Sequence, residues 1–147
     1  MLALKAAAPS QKLAALARLW EQKRGQRIMP ARSDLTVTDL RAWLGNLALL
    51  DLRMSGEVFR LCGVNLFPRF GGDMTGQPTA ELRSEGARPF WDCLARVRQT
   101  SAPVSQSHMQ IVHGEQVIFE ELALPLADDD AEMKIVLFAS YPSAIQA

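Results

Sequence analysis

The last third of the chain sets the strongest constraint on its fold. Val104–Val112 alternates in polarity, Gln116–Ala127 runs back after a turn at His113-Gly114-Glu115, and Glu132–Tyr141 returns after Asp128-Asp129-Asp130. Connections this short join neighbouring antiparallel strands. Side chains alternate between the faces of a strand, so Met133, Ile135, Leu137 and Ala139 share one face of the final run and Val136 and Phe138 the other. Both faces are apolar. A sheet of this kind needs cover on each side, which predicts a layered α+β domain.

Upstream, residues 1–9 read as a loose tail. Ser10 is placed to cap a helix running to about Arg24, with Gly25 as its stop and Leu13, Leu16, Ala17 and Trp20 as one apolar stripe, widened by Leu19. Thr36 and Asp39 form a capping-box pattern before a short helix that carries Val37, Leu40, Trp43 and Leu44 inward. Asn46–Arg53 and Glu57–Cys62 are strand-like around a turn at Met54-Ser55-Gly56. The apolar run Val64–Phe70, a loop from Pro78 to Gly86 and a helix from Pro89 to about Thr100 follow, the helix burying Phe90, Cys93, Leu94 and Val97. These elements predict a five-stranded antiparallel sheet with helices on one face and N-terminal helices preceding it. The N-terminal helices, or a partner chain, then cover the second face. The chain divides into a tail (1–9), a helical cap (10–44), a core (45–142) and a second tail (143–147), with no second domain.

Of the 147 residues, 48% are hydrophobic and 22% charged, the range of an ordinary globular domain. Sixteen basic and sixteen acidic residues cancel, leaving no long-range field to collect a phosphate backbone and little repulsion between copies. Cys62 and Cys93 form no metal or redox motif, and no run approaches the roughly 18 apolar residues of a membrane span. The expectation is a cytoplasmic protein without nucleic-acid or membrane partners.

The segment Phe59–Gly76 combines a strand, a tight turn, a short apolar helix and a glycine-rich stop, which suits the wall of a small-molecule pocket. Phe59, Leu61, Phe67, Phe70, Trp91 and Phe119 are the expected apolar lining. Two polar groupings stand beside it. Glu120 shares a strand face with Ile118, Leu122, Leu124 and Leu126, where a carboxylate is either a pocket anchor or an ion pair with Arg60 or an N-terminal arginine. Gln106, His108 and Gln110 share a face of their own strand and either converge on a ligand or meet water. Gly71-Gly72-Asp73 lacks the lysine and hydroxyl of a phosphate loop, and Asp128-Asp129-Asp130 lacks the spaced ligands of a calcium loop. Ser105 and Ser107 point away from His108 and build no relay with it.

In order along the chain, LARLWEQKRGQRIMPARSDLTVTDL, LGNLALLDL, FRLCGVNLFPRFGGDMTGQPTAEL and FEELALPLADDDAEMKIVLFASYP make the sequence similar to PAS domains. The likeness is greatest to a bacterial subfamily whose members often consist of this domain alone. It implies a sensory and interaction module whose sheet cups a pocket for haem, flavin, a metabolite or nothing, and which often dimerises through N-terminal helices. Flavin-based light sensors of the fold carry Asn-Cys-Arg on the short helix after the second strand, and haem-binding relatives a histidine on a central helix. Neither is present here, so no cofactor is expected.

The resulting expectation is a non-enzymatic sensory or regulatory domain that binds a small ligand or a signalling partner protein and acts through protein–protein association. Leu13, Leu16, Leu19 and Trp20 are expected at a homodimer interface. The alternatives are a small α+β enzyme using Glu120 or His108 as general base, and a ligand-free structural adaptor.

Overall fold

The computed structural model describes residues 2–143, with residues 2–10 as backbone only. Helix α1 spans Leu2–Arg24, α2 Val37–Leu40, α3 Phe67–Phe70 and α4 Ala87–Thr100. The strands are β1 Leu47–Arg53, β2 Gly56–Cys62, β3 Val104–Val112, β4 Glu115–Ala127 and β5 Met133–Pro142. They form one antiparallel sheet in the order β2-β1-β5-β4-β3, so the final strand lies at its centre. A central strand covered on both sides is what the two-faced apolar pattern of β5 requires.

Each face has its own core. Leu13, Leu16 and Trp20 of α1 lie on Leu122, Leu124, Leu126, Leu137 and Ala139, joined by Leu35 and Leu40. The other face packs Phe59, Phe70, Phe90, Cys93, Leu94 and Val97 against Ala123, Val136 and Phe138. Two indole hydrogen bonds fasten the first layer: Trp20 Nε1 donates to Pro125 O at 2.9 Å, and Trp43 Nε1 to Lys12 O at 2.9 Å. The capping box at Thr36 and Asp39 is present.

Three expectations change. Residues 1–9 are not a loose tail throughout, and Ser10 does not cap α1: the helix begins at Leu2, through an alanine-rich stretch with high helix propensity. Val37 does not point inward but is 64% exposed, because a four-residue helix buries one position, here Leu40. The turn between β3 and β4 consists of His113 and Gly114 alone, both at positive φ (51° and 82°), pairing Val112 with Glu115. Two such residues in succession follow the right-handed twist of the flanking strands.

Candidate functional site

The β3–β4 register decides where the polar side chains go. Gln106 lies opposite Glu121, and His108 opposite Phe119. These residues share the face toward α3 and α4, whereas Ser107 and Glu120 oppose each other on the α1 side. Arg69 projects from α3 into the same layer. Arg69 and Glu121 are both fully buried.

Around the Glu121 carboxylate the donors are complete. Oε2 accepts from Arg69 Nε at 2.5 Å and from Ser140 Oγ at 2.7 Å; Oε1 accepts from Gln106 Nε2 at 2.9 Å and from Arg69 Nη2 at 3.3 Å. The guanidinium also donates through Nη1 to Gly86 O at 3.0 Å, tying α3 to the start of α4. Rings of Phe70, Phe90 and Phe119 surround it at 5.2–5.9 Å. Gly86 has to be glycine: a Cβ there would sit 2.1 Å from Gln110 Oε1 and 2.4 Å from Arg69 Nη1. Burial pushes the Glu121 carboxyl up, but His108 in its protonated form and the charge and hydrogen bonds of Arg69 outweigh it and hold the group at about 2.

Gln110 and His108 extend the network outward. Gln110 Nε2 donates to the backbone oxygen of Arg69 at 3.1 Å, and its Oε1 lies 2.9 Å from His108 Nε2. The imidazole stacks on Phe119 at 5.8 Å between centroids. It lines a cleft of about 690 Å³ between α4 and β3, with Arg88, Asp92, Arg96, Gln99 and Gln106.

The ligand-site residues expected from the sequence do not line one pocket. Phe59 and Phe70 are in ring contact at 5.2 Å, and Phe90 and Phe138 complete the cluster at the centre of the layer. Leu61 and Trp91 do not line it: Leu61 is 38% and Trp91 37% exposed, with the Trp91 indole N–H turned to Thr79 O. Phe67 and Gln110 border a 450 Å³ depression with Gly71, Gly72 and Ser84. Phe119 is buried beneath His108.

Glu120 is not the buried carboxylate, and Arg60, expected as a partner for it, pairs instead with Asp51 at 3.2 Å. Glu120 is half-buried along an 800 Å³ groove between α1 and the β3–β4 hairpin, with Leu13, Ala14, Ala17, Ser105 and Ser107. His108 and Glu120 therefore occupy opposite faces and cannot serve one substrate together. Leu13, Leu16 and Trp20 are at most 9% exposed, and Leu19 packs beside them on the chain's own sheet. Sequence reasoning placed neither Arg69 nor Glu121 in the site. Among the described residues, no group of three or more His, Cys, Asp or Glu is arranged to hold a metal ion, and no helix is long and apolar enough to cross a membrane.

A family model described as a PAS domain matches residues 8–139. No curated protein sequence matches the chain. Among solved structures, VqmA bound to DPO superposes with a TM-score of 0.56 at 17% identity, over 69% of this chain and 54% of that one. The VqmA–ligand–DNA complex of Vibrio cholera gives 0.58 at 18% identity, over 71% and 49%. A light-oxygen-voltage domain studied with a flavin analogue gives 0.55 at 9% identity, over 74% and 84%. The chain thus spans about half the length of the VqmA chains it matches. At these identities the likeness concerns the fold.

Proposed function

The chain belongs to the PAS domain family, and from that premise we propose that it is a sensory and regulatory domain which receives a small molecule or a partner protein and passes the response on by protein–protein association, as a homodimer. One observation carries this reading. A charged network, fully hydrogen-bonded at Glu121, runs from the α4–β3 cleft at His108 to α3, inside a domain whose phenylalanine core is already complete. A buried ion pair contributes little net stability compared with apolar residues of the same volume. Its retention here fits a role in relaying a change at the cleft to the helices.

The filled phenylalanine centre favours reception at the clefts beside His108 and Gln110 over an interior cavity. The ligand named for VqmA supports small-molecule reception as a use of this fold. With Leu13, Leu16 and Trp20 committed to their own sheet, the α1 groove beside Ala14, Ala17 and Ser107 is the better surface for a second copy.

Native mass spectrometry of protein purified from its natural host tests both parts together. A bound small molecule or partner on a dimeric species is the expected result. A bare monomer, unchanged up to high micromolar concentration, would overturn the proposal.

A further inference from the structure

The hydrogen bonds around His108 fix which ring nitrogen carries its proton. Gln110 gives its amide nitrogen to Arg69 O, so its amide oxygen faces His108 and accepts from Nε2. The neutral ring is therefore the Nε2–H form. Its Nδ1 lone pair then lies 3.4 Å from Glu121 Oε1, buried and without a hydrogen-bond partner. A carboxylate offers about four acceptor positions. Those of Glu121 are taken by Arg69 Nε, Arg69 Nη2, Gln106 and Ser140. A proton arriving on Nδ1 creates a fifth donor. The contact with most to lose is the longest, Arg69 Nη2 at 3.3 Å on the same oxygen.

We propose that His108 is a proton-responsive latch: protonation at Nδ1 draws Glu121 Oε1 toward the imidazolium and loosens the grip of Arg69 that fastens α3 and the start of α4 to the sheet. The inference rests on the sensory reading and names a signal for it, a fall in pH reaching the α4–β3 cleft. The side chain of His108 is 10% exposed and borders that cleft, so solvent protons have a short path. Among the described residues, Glu121 faces the ring from β4 and Arg69 from α3; Arg88, Asp92 and Arg96 line the cleft from α4, whose buried Cys93 also feels the Glu121 charge; β5 contributes the neutral Ser140. Between pH 5 and 8 histidine is the side chain suited to such a role. The sequence holds two, and the other, His113, lies in the β3–β4 turn as an internal control.

The test is long-range ¹H–¹⁵N NMR of the histidine rings of the intact chain, with backbone amide shifts followed from pH 8 to pH 5. The expected result is an Nε2–H tautomer for His108 at pH 8, and amide shifts of Phe67, Arg69, Phe70 and Gly86 that move with the His108 midpoint. In His108→Gln those shifts should be lost, leaving changes only around His113. A neutral Nδ1–H tautomer, or amides of α3 that stay still while His108 titrates, would overturn the latch. The wild-type measurement decides the matter even where His108→Gln folds poorly. A failed latch leaves the ligand and partner reading intact, because native mass spectrometry tests that separately.

Discussion

Under α1, the described core side chains that meet the sheet are leucine, isoleucine, alanine, methionine and tryptophan. Under α3 and α4, a guanidinium and a carboxylate are buried as deeply as the phenylalanines around them. The first layer is graded: each contact adds its own share, and losing one leaves the rest in place. The second layer contains a unit that is satisfied only as a whole, since removing one partner strands the other in a medium that penalises an unpaired charge. The two layers share β1, β4 and β5, so the contrast can be tested within one sheet.

The largest effect should follow Glu121→Ala. It leaves Arg69 buried without its counter-charge, and a broken buried pair costs about 3–5 kcal/mol. Urea unfolding should show it directly. The double variant Arg69→Met/Glu121→Leu should recover most of that loss, because an apolar pair of similar volume needs no compensation. A double variant as unstable as the single would mean that shape, rather than charge, holds the layer.

Next comes Leu16→Ala on the apolar layer, where Leu16 is fully buried. The loss should be about 3 kcal/mol, within the range for a buried leucine, with no partner for rescue. Leu16→Asp should unfold the domain rather than separate two folded copies, read by circular dichroism alongside light scattering.

The comparison can be sharpened by acid. Glu121 is held at about 2 in the folded state against an ordinary value of 4.5. A depressed carboxylate contributes stability that is complete above its unfolded value and is lost as pH falls toward its folded one. Between pH 6 and pH 3 the wild type should therefore lose about 2 kcal/mol more than Glu121→Gln, whose side chain does not titrate. Parallel curves for the two proteins would show that Glu121 is not the titrating group.

How legible each layer was in the sequence follows the same division. The apolar layer announces itself through period: the Leu13/Leu16/Trp20 stripe and the alternation of β5 depend on neighbours in the chain, and both place their residues correctly. The polar unit depends on a register and on a contact across 52 residues. A three-residue turn at 113–115 pairs Val112 with Gln116 and brings His108 opposite Glu120. The observed two-residue turn brings Gln106 opposite Glu121 instead. One residue of slip exchanges the two adjacent glutamates between faces. The signal was the His113-Gly114 dipeptide, which suits the shorter turn, together with the polar Gln106/His108/Gln110 face that had to meet something. Arg69 carried no such signal, because a four-residue helix has too little period to show which side is buried.

The smallest effect belongs to the link between α1 and the sheet, where local chemistry suffices. Thr36 accepts from Asp39 N at 3.1 Å, and the Asp39 carboxylate accepts from Thr36 N at 3.1 Å, so two backbone donors at the start of α2 are satisfied within four residues. Thr36→Ala removes the hydroxyl and leaves one amide to water. That should cost about 1 kcal/mol, because water replaces much of what the cap supplied. The cost should be the same with Glu121 present or replaced by glutamine, since distant sites that share no partner add independently. A thermodynamic cycle between Thr36→Ala and Glu121→Gln that closes within about 0.5 kcal/mol would show that the two layers respond separately. Strong coupling would mean that a change at the charged unit is felt across the sheet, and that the polar layer reaches the N-terminal helices as well as α3.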